Sequence, residues 1–85
     1  MTKEQMEQAV NLIGVACREF RINHLQMPLM ALSEESGISY NRLYRYEHGR
    51  PGKTLDPLVL YLEKGMPMDA IMMAVAMAGG TNDDD

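Results

Sequence analysis

Leu32-Ser33-Glu34-Glu35-Ser36-Gly37-Ile38-Ser39-Tyr40-Asn41-Arg42-Leu43-Tyr44-Arg45-Tyr46-Glu47-His48-Gly49-Arg50-Pro51 decides how the rest of the chain is read. A helix should end at Gly37, since glycine enters the left-handed conformation without a Cβ clash. Ile38 is then the apolar residue of the turn. Ser39 is an N-cap, its hydroxyl able to take an orphan backbone N–H of the next helix. That helix is expected from about Tyr40 to Glu47, stopping at Gly49. Leu43 and Tyr46, three residues apart, point inward. Tyr40, Asn41, Arg42, Tyr44 and Arg45 are left on the other faces, a row of side chains that donate hydrogen bonds and stack.

The chain upstream is helical by the same reasoning. Pro28 to Ser36 reads as a short helix, with proline in its first turn where no donor is missed. Before it, Met6, Val10, Ile13, Cys17 and Phe20 recur at spacings of three and four, making one apolar stripe. Thr2 is the expected cap of that first helix, and Asn23-His24 its end. Leu12 and Val15 lie off the stripe, so a second face is also expected to be covered. Cys17, the single cysteine, should be a buried and inert thiol.

Downstream, Arg50-Pro51-Gly52-Lys53 is a basic turn. Thr54 is the expected cap of a fourth helix with Leu55, Leu58, Val59 and Leu62 inward, ending at Gly65. Pro67 should open a fifth helix that reaches Ala78, and its part over residues 70–78 is apolar all round. Such a helix must be covered on every side. In 85 residues there is little protein to cover it, so residues 66–78 are expected to form a homodimer interface through Ile71, Met72, Val75 and Met77. The expected architecture is all-α, a compact bundle of about five short helices in one domain, residues 1–80. An acidic tail, residues 81–85, is expected to be disordered. There is no strand pattern and no repeat.

The quoted stretch resembles the helix-turn-helix of the lambda-repressor and Cro-like (XRE-type) DNA-binding family. Leu32, Gly37, Ile38, Ser39, Leu43, Glu47 and Gly49 fill that family's pattern, with Ser33 where alanine is usual and His48 where asparagine is usual. The tight match covers about 20 residues inside a helix-turn-helix core at about 28–49. The resemblance implies a second helix of this pair that lies in the major groove of double-stranded DNA. Its first turn enters deepest, so Tyr40, Asn41, Tyr44 and Arg45 are the candidate base readers. Arginine can grip guanine O6 and N7, and asparagine can pair with adenine. Ser39, Arg42, Arg50 and Lys53 are the candidate phosphate contacts, holding register without reading sequence. One phosphate contact common in the family is missing: Pro28, Leu29 and Met30 stand where a Ser or Thr cap and a Gln are usual.

Charge sets a limit on this reading. The net charge is −4, yet residues 18–53 carry six basic and four acidic side chains, a local +2. The face matters more than the sum. Even so, the modest footprint predicts weak nonspecific affinity and reliance on dimerisation.

Other chemistry is poorly served. His24 and His48 are the only histidines, and neither stands at a zinc-ligand spacing with Cys17. Asp83-Asp84-Asp85 lacks the glycine and flanking ligands of a calcium loop. No glycine-rich phosphate loop follows a strand. No cofactor, no metal and no enzymatic activity are therefore expected. The longest uncharged apolar run, Ala70 to Gly80, has 11 residues, against the ~20 of a membrane helix. The start of the chain is polar, unlike a signal core, and a cytoplasmic location is expected. The sequence thus predicts a transcriptional repressor of the phage or plasmid kind that binds a palindromic operator as a dimer. The alternative is a protein-interaction module, antirepressor-like or antitoxin-like, whose helix pair contacts a protein partner.

Overall fold

A computed structural model describes residues 1–79. Five α-helices follow one another: α1 (Lys3–Phe20), α2 (Leu29–Ser36), α3 (Tyr40–Glu47), α4 (Asp56–Glu63) and α5 (Met68–Gly79). The protein is all-α, with no strand among the described residues. The acidic stretch 81–85, expected to be disordered, lies outside the described residues. None of the described helices is long and apolar enough to cross a membrane.

α1 starts where the sequence indicates. Thr2 Oγ1 accepts the Gln5 N–H at 3.1 Å, and Gln5 Oε1 accepts the Thr2 N–H at 2.8 Å, satisfying two orphan donors reciprocally. α1 does not stop cleanly at Asn23-His24. It opens into a π-helical turn, Arg21–Leu25, closed by Gln26 in the left-handed region at φ 53°. Such a bulge re-aims side chains. Here it accompanies Arg21 buried among the helices.

α1 is the spine of the molecule, covered on two sides. One side, with Gly14 and Cys17, meets α3; the other, with Leu12 and Ala16, meets α5. At 100° per residue these two sets fall on opposite faces of the helix. Gly14 is what allows the α3 contact. A Cβ there would stand 2.6 Å from the Tyr46 carbonyl oxygen and 2.8 Å from that of Glu47. The expected stripe on α1 is broken at Met6, which is 54% exposed. The first turn of α1 lines an open groove there with Lys3, Glu7 and Asn11. The core is Cys17, Phe20, Leu29, Leu32, Leu43, Tyr46, Tyr61 and Met66.

α4 departs from expectation. It begins at Asp56, its cap position is Leu55, and no side chain caps it. Thr54 instead accepts a hydrogen bond from Arg42. Leu55 and Val59, expected inward, are 67% and 59% exposed, while Tyr61 is fully buried. The helix is turned by about 100°, one residue's worth. The reason is polar: the Tyr61 hydroxyl donates to the buried carboxylate of Glu47, and a buried carboxylate needs donors.

Candidate nucleic-acid interface

α2 and α3 are joined by Gly37-Ile38-Ser39, a turn tied to both helices by hydrogen bonds. Gly37 closes α2 at φ 80°, its N–H donating to the Ser33 carbonyl at 2.9 Å. Nothing lies within 4 Å of a Cβ placed there, so the glycine is required by its backbone conformation rather than by crowding. Ser33 Oγ donates to the Ile38 carbonyl at 2.7 Å, and the Ile38 N–H donates to Ser36 Oγ at 3.1 Å. Ser33, where the family pattern has alanine, thus ties one helix to the turn after it. Ser39 caps α3 as expected, its hydroxyl accepting the Arg42 N–H at 3.2 Å.

α3 is held from behind by a buried polar cluster that the residue pattern did not reveal. Arg21 donates Nε–H to Glu47 Oε2 at 2.8 Å and an Nη2–H to Glu47 Oε1 at 2.9 Å, a two-pronged pair. A third donor of the same guanidinium, on Nη1, reaches the Met27 carbonyl at 2.9 Å. Tyr61 completes the cluster on Glu47. The paired carboxylate holds the Arg21 proton more firmly than usual. Burial, followed by the hydrogen bond to Glu47, pushes the Tyr61 hydroxyl well above its ordinary value. One carboxylate therefore fastens the end of α3 to α1 and α4 at once. A signal was available: Arg21 continues the buried line of Cys17 at i+4, and Glu47 that of Leu43 at i+4. Two opposite charges on apolar lines imply each other.

With Leu43, Tyr46 and Glu47 buried, the opposite face of α3 is free. All four candidate base readers, Tyr40, Asn41, Tyr44 and Arg45, are exposed there. Two of them are organised. The Tyr40 and Tyr44 rings lie 6.2 Å apart and the Tyr44 and His48 rings 4.0 Å apart, all within 20° of parallel. His48 Nδ1 sits 2.8 Å from the Tyr44 carbonyl oxygen. This i, i+4, i+8 ladder adds His48 to the face, a residue the sequence reading left in the turn.

The candidate phosphate residues are divided. Arg50 and Lys53 are exposed in the loop after α3. Arg42 bends back to the start of α4, 2.6 Å from Thr54 Oγ1 and 3.3 Å from an Asp56 oxygen. Its charge is thereby shared with an acidic neighbour. Arg21, counted in the basic stretch, is neutralised inside the protein by Glu47.

The four residues expected at a homodimer interface do not share one face. Ile71 packs inward beside the core, Met72 and Val75 point outward, and Met77 lines a groove against α1. α5 is covered by α1 alone on one side; Met68, Met72, Met73 and Met77 stay 58–67% exposed. Cys17 is buried, and burial pushes its thiol up to about 12. Among the described residues no three His, Cys, Asp or Glu side chains converge on a point where a metal could sit. No family model, no curated protein and no solved structure matches the chain.

Proposed function

We propose that the protein is a sequence-specific, double-stranded-DNA-binding transcriptional regulator that acts in the cytoplasm as a repressor. The observation that carries this reading is the outward face of α3. It presents Tyr40, Asn41, Tyr44 and Arg45 to solvent from a helix whose other side is locked by Arg21, Glu47 and Tyr61. A convex helix held this rigidly suits the ~12 Å width of a major groove. Asn41 and Arg45 supply the donors and acceptors that tell base pairs apart. Arg50 and Lys53, in the next loop, meet the backbone. The weak basic footprint favours two subunits on a palindromic operator, with half-sites about 34 Å apart. Met72 and Val75, with Met68 beside them, offer the two-fold surface.

Fluorescence anisotropy with genomic fragments, repeated across salt concentrations, tests the proposal. DNA reading gives an affinity that falls steeply with salt, by a log–log slope of about −0.9 for each phosphate neutralised. A flat salt response sinks it, and points to a protein ligand for the same helix.

A further inference from the structure

The flank of α5 away from Met72 and Val75 forms, with α1, an open groove of about 400 Å³. Its walls are Leu12, Val15 and Ala16 from α1 and Ala70, Met73 and Met77 from α5. Val15, Met73 and Met77 are 48%, 61% and 67% exposed, so much of this apolar surface meets water. The groove runs on past Ala16, Pro67 and Ala70 into a second depression reaching Asn23 and His24. From Leu12 to Asn23 that is about 16 Å, three turns of helix.

Charge says what fits. Among the described residues, the formally charged side chains lining the two depressions are Asp69 and Glu19, both acidic, both exposed and each lining its depression together with Pro67, where the two join. Asn23 and His24 complete the polar rim. An occupant must therefore bring an apolar stripe and a cation where the two depressions join. A second copy seated by its own α5 brings the opposite: that helix has Asp69 and neither Lys nor Arg. Self-pairing through α5 would therefore leave both carboxylates without a cation.

We propose that this groove binds an amphipathic helix of a partner protein, about three turns long. Apolar side chains at i, i+3 or i+4, and i+7 fill the channel, and a Lys or Arg beside that stripe, midway along the helix, meets Asp69 and Glu19. Flexible methionine walls on one side suit partners whose apolar side chains vary. This face is on the opposite side of α1 from α3, and the inference stands whether or not α3 reads DNA.

The test uses the full chain with methyl-labelled methionines and two synthetic helical peptides of about twelve residues. Both carry the same apolar stripe; one has two Lys midway, where the stripe passes Asp69 and Glu19, the other two Glu there. The cationic peptide should shift the Met73 and Met77 methyl signals and leave Met72 unmoved. It should bind roughly ten-fold more tightly than the acidic one, and the difference should shrink with salt. In the Glu19→Lys/Asp69→Lys variant, whose substitutions lie on the surface, the order of the two peptides should reverse. Equal binding of both peptides overturns the proposal. So do shifts at Met72 in place of Met73 and Met77, or no shift at about 1 mM peptide. A peptide-free dimer that Met73→Glu dissolves would assign the groove to a second copy, and preferential binding to anionic vesicles would assign it to a lipid surface.

Discussion

In the proposed DNA complex, Arg45 and Lys53 lie on either side of the boundary between reading bases and holding a backbone. Arg45 stands on the free face of α3, one turn from Asn41, and Lys53 stands in the loop beyond its end. Arg45→Ala should remove about 1–3 kcal/mol of preference for one base pair while affinity for unrelated DNA changes much less. Lys53→Ala should weaken all sequences alike and lower the salt slope by about one. Competition binding against single-base operator variants distinguishes the two, and an identical uniform loss from both would remove base reading from α3. Glu47 works behind the same helix. Glu47→Ala leaves the buried Arg21 guanidinium and the Tyr61 hydroxyl without their acceptor, a change worth about 3–5 kcal/mol. Urea titration should show a large loss from a total stability of the order of 5–15 kcal/mol. Gly14→Ala gains helix propensity, about 1 kcal/mol, yet pushes a methyl onto two carbonyls of α3. The net outcome should be a lower melting temperature, together with weaker DNA binding because α3 is displaced.

At the scale of elements, α5 carries the clearest consequence. Beyond Asp69 it is apolar on every side, yet among the described residues α1 covers mainly one of them. Met72 is 65% exposed on the outward flank, so Met72→Asp should leave the monomer folded while placing unpaired charges in a two-fold contact. If the proposed dimer forms through this flank, sedimentation velocity should show dimer for the parent chain and monomer for the variant. Ile71→Asp is not an equivalent probe, because Ile71 packs against the core and its loss would unfold the chain. α4 teaches the complementary lesson. Its apolar spacing allowed Leu55 and Val59 to face inward, yet the helix turned so that Tyr61 reached Glu47.

For the whole molecule, the core sets a pH limit on stability. Burial pushes Cys17 from its ordinary 9.0 up to about 12 and raises Tyr46 and Tyr61 as well. A group that holds its proton more tightly folded than unfolded stabilises the fold fully below its unfolded value. That contribution is lost as pH rises through its folded value. The melting temperature should therefore be insensitive to these groups up to about pH 9 and fall between pH 9 and 12. Cys17→Ser removes the thiol titration, so thermal melts of that variant should begin their alkaline decline nearer pH 10, where the tyrosines remain. A thiol reagent at pH 8 should leave the folded parent chain unmodified, since Cys17 has no exposed surface.

Local chemistry determined a good deal of this protein. The capping hydroxyls of Thr2 and Ser39, the left-handed Gly37 and the three-residue spacings of Cys17 with Phe20 and of Leu43 with Tyr46 act within a turn or two of chain. So the boundaries of α1 at its start, of α2 and of α3, and the free face of α3, were legible in the sequence. Tertiary structure decided what depends on partners distant in the chain. Glu47 needed Arg21 and Tyr61, 26 and 14 residues away, and the rotation of α4 and the burial of Arg21 followed from that one carboxylate. The stacking of His48 on Tyr44 required the C-terminal cap of α3 to bring the ring back over the helix. α5 could be seen to be apolar, but an apolar pattern records only that a face prefers to leave water. Which flank meets α1, which stays bare, and which depressions Asp69 and Glu19 border are set by how the first and last of the five helices lie against each other.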